Sequence, residues 1–217
     1  MLPATLDPER RQFNISVNGY GEVNFGNIWS PLSGLQYKLN AGYTYVPWRT
    51  NEYEGKSVYN MTGWGKIFNR ETQTWTLENI LTYNKDFDVH HFDFTGLYAA
   101  SRKHYQESTS EGSIFPNDDL EWGNLGAAAT HKVGSYADLY TSLSQMGRIN
   151  YSYDSRYLFT FTVRRDGSSV FGVNNKYGVF PSAALGWNMS REKFMEPMVN
   201  VLNNLKIRLS YGKSGNE

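Results

Sequence analysis

The stretch from Ser144 to Asn188 reads SQMGRINYSYDSRYLFTFTVRRDGSSVFGVNNKYGVFPSAALGWN, and its alternation decides the fold. Two alternating segments meet at Asp154-Ser155, and a longer Gly/Asn/Ser loop leads to a third. In the middle segment Tyr157, Phe159, Phe161 and Val163 share one face, while Leu158, Thr160, Thr162 and Arg164 share the other. A period of two marks a β-strand whose faces meet different surroundings. A soluble sheet would turn the apolar set into a core. A transmembrane barrel would turn it toward lipid and keep the polar set in a wet lumen.

The same pattern recurs outward from this stretch. Strands are expected at Val17–Trp29, Leu35–Tyr45, Thr72–Tyr83, His90–Ala100, Thr141–Tyr153, Tyr157–Arg165, Phe180–Met189 and Leu205–Tyr211. Their length is close to the ~10 residues of a tilted membrane-crossing strand. Ser30-Pro31-Leu32-Ser33-Gly34, Asn84–Val89 and Asp154-Ser155 read as compact turns. Val46–Lys66, Ser101–Tyr140 and Asp166–Val179 read as long loops. Ser190–Asn204 is the one helical candidate, with Phe194, Met195, Met198, Val199 and Leu202 at helical spacing, and Pro197 breaks it into a kink or two short pieces. Short and long connections therefore alternate, as they do between the two ends of an outer-membrane barrel.

Composition narrows the classes. Twenty-one basic and 21 acidic residues give no net charge, so there is no basic excess to recruit nucleic acid. The absence of cysteine removes disulfides, thiol catalysis and cysteine-based zinc sites. Aromatic residues make up 16% of the chain, and its 16 Tyr and six Trp suit membrane–water boundaries or a glycan-binding surface. No run approaches the ~20 apolar residues of a spanning helix. The first residues, MLPATLDPERRQ, lack the basic and apolar regions of a secretory signal, and the last, SYGKSGNE, follow a strand with no closing element. Both ends suggest a piece of a longer chain.

Gly147–Trp187, GRINYSYDSRYLFTFTVRRDGSSVFGVNNKYGVFPSAALGW, closely resembles the TonB-linked outer-membrane receptors of the SusC/RagA family. Leu205–Glu217, LKIRLSYGKSGNE, is similar to a second motif of that family, and Phe115–Leu120, FPNDDL, to a loop element upstream of the first. Residues 1–100 agree in pattern only, and Val170 stands where the family often has Arg. The resemblance implies an all-β fold: about eight antiparallel strands of a barrel with about 22, the plug domain and remaining strands being absent. The whole of 1–217 would belong to that barrel domain. It also implies a bacterial outer-membrane location and uptake of oligosaccharide or peptide. TonB would act through an absent N-terminal region, and a SusD-like surface lipoprotein would be the partner.

On that reading Tyr157, Phe159, Phe161, Val163, Ile207 and Leu209 face outer-membrane lipid. Thr160, Thr162, Arg164, Lys206 and Arg208 face the lumen. Trp48, Trp64, Tyr105, Asp118, Asp119 and Trp122 fall in expected outside loops, where rings and carboxylates could meet a ligand or simply pack the loops. Arg164-Arg165-Asp166-Gly167 reads as a structural corner, since Asp-Gly at a strand end is first a turn signal. His90 and His91 are adjacent, so they point to opposite faces, and neither they nor His104 or His131 has metal-site spacing. No nucleophile elbow, phosphate loop or paired-acid motif appears, and neither an enzyme nor a cofactor is expected. Two rivals stand beside the importer: a porin-like barrel without a plug, and a soluble β-rich glycan-binding module that folds without detergent.

Overall fold

A computed structural model describes residues 8–56, 62–172, 176–198 and 201–215. Its nine strands form one antiparallel sheet. They are β1 (Glu9–Gln12), β2 (Ile15–Asn24), β3 (Leu35–Glu54), β4 (Trp64–Phe87), β5 (His90–Ser113), β6 (Thr130–Tyr153), β7 (Tyr157–Ser168), β8 (Tyr177–Asn188) and β9 (Lys206–Gly212). β1 and β2 both pair with β3, and from β3 to β9 each strand lies beside its sequence neighbour. The chain thus occupies eight lanes, as the alternation indicates.

Strand length departs most from the sequence reading. β3 runs on to Glu54 and β4 begins at Trp64, so most of the expected loop Val46–Lys66 is strand. β5 continues to Ser113 and β6 starts at Thr130, which leaves residues 114–129 of the expected Ser101–Tyr140 loop as connection. β4, β5 and β6 have 24 residues each, about 80 Å at ~3.4 Å per residue, or roughly twice a bilayer crossing. The regular alternation of loop lengths does not survive. The connection 189–205, which falls where the alternation calls for a short one, is the longest, whereas 55–63 and 169–176 are brief.

The helical candidate forms two short 3-10 turns, Met189–Arg191 and Lys193–Met198, rather than an α-helix. Pro197 lies in the second, where it supplies no amide for an α-helical bond. Val199 lies outside the described residues, as do residues 1–7, 57–61, 173–175, 200 and 216–217. A 3-10 turn also occupies Phe25–Asn27, inside the expected first strand. Gly34 closes the next turn at φ +91°, and a Cβ there would sit 1.9 Å from the Asn84 carbonyl oxygen.

The contacts divide the chain into two compact units. One comprises Met1–Val17, Gly42–Trp75 and Arg102–Tyr140. In it the connection after β5 folds back on the strand ends: Phe115 meets Tyr53 edge-to-face at 5.4 Å, and its amide donates to the Thr62 carbonyl. The other comprises Asn18–Ala41, Thr76–Ser101 and Thr141–Glu217. Neither unit has a substantial hydrophobic core. Among the described residues the buried apolar side chains are Phe115, Ala128 and Met195.

Candidate membrane belt and polar wall

The pairing registers of β6–β9 assemble side chains into rows. Tyr153, Tyr157, Trp187 and Ile207 stand abreast, then Tyr151, Phe159, Leu185 and Leu209, then Ile149, Phe161, Ala183 and Tyr211. All share one face, because each row lies two residues from the next. Phe159 and Phe161 are about two-fifths exposed and Leu209 nearly three-quarters. An open groove of about 410 Å³ runs among Tyr151, Phe159, Leu185 and Leu209. Gly147, Val163 and Pro181 continue the face, followed by Gln145, Arg165 and Val179, then Leu143, Gly167 and Tyr177. The interval from Tyr157 to Gly167 is about 34 Å along a strand, or about 26 Å at a tilt of about 40°.

The opposite face is polar and hydrogen-bonded. Asn150, Thr160, Ala184 and Ser210 form one row, and Arg148, Thr162, Ser182 and Gly212 the next. The Thr160 hydroxyl donates to Asn150 Oδ1 (2.9 Å), whose amide donates to Asp93 (2.7 Å). Arg148 Nε donates to Thr162 Oγ1 at 3.2 Å, and Thr162 is only 8% exposed. Arg164 Nε reaches both Asp166 carboxylate oxygens, at 2.8 and 2.7 Å. Lys206 and Arg208 lie on β9, opposite Asn188 and Gly186. On β7 this inverts a soluble protein: Thr160 and Thr162 are more sheltered than Phe159 and Phe161.

Arg164–Gly167 is therefore not a corner. It continues β7, with Arg164 and Asp166 paired on the polar face and Arg165 on the apolar one. The Arg165 guanidinium lies 4.0 Å from the centre of the Tyr177 ring. Tyr177 lies against Gly167, where a Cβ would come within 2.5 Å of a ring carbon. The spacing of the motif now has a physical reason that the turn reading of Asp-Gly missed.

The turns at one end of this unit are fastened together. The Asp154 amide donates to the Val89 carbonyl (2.7 Å) and the Asn188 amide to that of Arg156 (2.8 Å). Glu192 accepts from Tyr157 Oη (2.7 Å), Trp187 Nε1 (3.0 Å) and Arg156 (3.3 Å). These donors, the Trp187 indole foremost, hold its carboxyl below the usual glutamate range although burial opposes them. His90 is occupied as well, its Nδ1 lying 2.7 Å from Tyr151 Oη. His91 bonds Asp86.

The expected ligand contacts lie in the other unit, and three of the six are strand residues: Trp48 on β3, Trp64 at the start of β4 and Tyr105 on β5. Trp48 and Tyr105 converge on Arg70, their ring centres 5.5 and 5.4 Å from its guanidinium, with Phe68 at 5.1 Å. Alternation gave no sign of this cluster, because Arg70 and Phe68 precede the expected strand at Thr72. Asp118 is drawn into the loop itself, accepting from Tyr53 Oη at 2.7 Å and from the Lys56 amide. Asp119 and Trp122 remain in the connection between β5 and β6, where Arg49 lies 5.8 Å from the Trp122 ring. Among the described residues no three His, Asp or Glu side chains gather as a metal site.

An antiparallel sheet that lacks a core, with one largely exposed apolar face and one hydrogen-bonded polar face, is the pattern expected of transmembrane β-barrel wall. No protein-family model matches the chain. It is 37% identical to TonB-dependent receptor P3 of Formosa agariphila over 89% of its length, which is 20% of that receptor. It is 52% identical to TonB-dependent receptor SusC of Bacteroides thetaiotaomicron over 38% of its length, 8% of SusC. The solved RagAB peptide transporter superposes with a TM-score of 0.83 at 22% identity, over 95% of this chain and 23% of that one. The chain spans about a fifth of the length of P3 and a smaller share of SusC. It is SusC/RagA-like, and its antiparallel sheet matches a stretch of the β-barrel of a TonB-dependent receptor. These relatives are named as receptors and transporters, not enzymes.

Proposed function

We propose that this chain is wall of an outer-membrane nutrient importer, with its apolar rows against lipid and its polar rows lining a hydrated lumen. The observation that carries the reading is the apolar belt of Tyr157, Phe159, Phe161, Val163, Ile207 and Leu209, all but Val163 exposed, backed by a hydrogen-bonded polar face. A belt about 26 Å high between Tyr157 and Tyr177 agrees with the ~25 Å apolar band of such barrels and the aromatic girdles at its two edges. Thr160, Thr162, Arg164, Lys206 and Arg208 are the lumen residues on this reading. The plug, the TonB contact and the remaining strands belong to the rest of a longer protein, of which 1–217 is barrel only.

A SusD-like surface lipoprotein is the expected partner, and the cargo is an oligosaccharide or a peptide. Trp48 and Tyr105, gathered at Arg70, are the wall residues placed to meet it, with Trp64, Asp119 and Trp122 in the same unit. Asp118 is the weakest of the six candidates, since its carboxylate already serves Tyr53 and Lys56.

The faces are tested in the full receptor by reversible folding into bilayers. Phe161→Arg is expected to cost about 2–4 kcal/mol, as a mid-bilayer charge does, whereas Thr160→Arg costs little. Equal tolerance of the two would reverse or abolish the assignment.

A further inference from the structure

We propose that Arg165, carried on the ring of Tyr177, binds the phosphate of a membrane lipid headgroup at the rim of the apolar belt. The inference rests on the reading of that face as lipid-facing and goes beyond it by naming a headgroup site. Arg165 interrupts a face that is otherwise apolar through Tyr157, Phe159, Phe161 and Val163. It lies about 27 Å along the strand from Tyr157, about 21 Å at a tilt of about 40°, just short of the far edge of a ~25 Å band.

Its side chain leaves the apolar rows. The guanidinium stacks at 4.0 Å on Tyr177, which belongs to the next row toward the rim, opposite Gly167. A long cationic side chain that buries its stem and lifts its head toward the interface does what lipid exposure demands. Glycine at 167 leaves the space that the Tyr177 ring fills, so the platform is built into the sheet.

The charge itself has no carboxylate to answer it. The adjacent Asp166 points to the other face, where Arg164 takes both its oxygens. Among the described residues no carboxylate pairs with Arg165, although seven other basic side chains are paired in this way. A guanidinium held over a ring directs its N–H donors outward in its own plane, where they can meet phosphate oxygens two at a time. The occupant that brings such an anion to the edge of an apolar band is a phospholipid or phosphorylated glycolipid of the leaflet there. The exposed Lys176 stands next to Tyr177 in the chain and adds a second positive charge at that rim.

The test uses the full receptor in detergent and native mass spectrometry with two lipids of the same acyl chains, dioleoyl phosphatidic acid and dioleoylglycerol. The wild type is expected to hold phosphatidic acid at least ten-fold more tightly than dioleoylglycerol. Arg165→Gln should remove most of that preference and leave dioleoylglycerol binding alone. Arg165→Lys, which keeps the charge and loses the planar fork, should fall between. Equal preference in wild type and Arg165→Gln overturns the headgroup site while the lipid-facing belt stands. Failure of the wild type to bind either lipid overturns the belt reading and the site with it. A heat-shift gel on each variant, showing the folded barrel, separates loss of the lipid from loss of the fold.

Discussion

Gly34 shows how sharply single positions are constrained in a wall that has no core. Its φ of +91° lies in a region open to glycine, and the Asn84 carbonyl occupies the place of a Cβ. The same carbonyl-side approach lets the Asn84 amide donate to the Gly34 carbonyl at 2.9 Å, so the turn before β3 is tied to β4. Gly34→Ala combines a strained dihedral with a steric clash and is expected to cost at least about 1–3 kcal/mol. The urea midpoint of the full receptor measures it, and an unchanged midpoint would contradict the packing. Phe159 and Thr160 make the complementary point. They are adjacent, yet one is exposed and apolar and the other is hydrogen-bonded and sheltered, and only the backbone pleat separates their surroundings.

Among the elements, the connection after β8 does more than join two strands. Its Glu192 gathers Trp187, Tyr157 and Arg156, which come from the two strands and the turn beside it. Because the folded carboxyl sits below the usual glutamate range, this tie contributes fully above that range. It is lost as pH falls through the depressed folded value. The protection factor of the Asn188 amide, its exchange relative to the intrinsic rate at each pH, should therefore fall in acid in the wild type when followed downward from pH 6 in the full receptor. Glu192→Gln should give a profile without that acid step. Coincident profiles would show that the carboxylate does not hold the turn.

The elements also show what alternation can reveal. The sequence marked Leu35–Tyr45, Thr72–Tyr83, His90–Ala100 and Thr141–Tyr153, segments that fall largely within the unit containing β7–β9. It lost the continuations of β3–β6 through Glu54, Trp64, Ser113 and Thr130. A strand with one apolar and one polar face writes its period in the side chains. A strand that is polar on both faces, as in Gln106-Glu107-Ser108-Thr109-Ser110, has no such period to write. The Arg70 cluster was hidden for the same reason. The helical spacing of Phe194, Met195 and Met198 failed differently, because it was read across Pro197.

For the molecule as a whole, the sheet has two free flanks among the described residues: β1 and β2 pair only with β3, and β9 pairs only with β8. β9 is exposed along its whole length, with Leu209 and Tyr211 among the most open apolar residues of the chain. Unpaired flanks and an uncovered belt both promote association in water. Expressed by itself, the 217-residue chain is expected to aggregate unless detergent is supplied. A monodisperse, detergent-free preparation by light scattering would favour a soluble module over a barrel wall.

The lateral bonds from Asp154 to Val89 and from Asn188 to Arg156 carry one more implication. They join each tight bend to its neighbour, so adjacent hairpins are zipped at that end independently of the ladders between them. Each such bond fixes one hairpin's register against its neighbour's. A slip of the seam by a single pleat would break these fastenings as well as the ladder, so the bends discriminate against sliding alternatives.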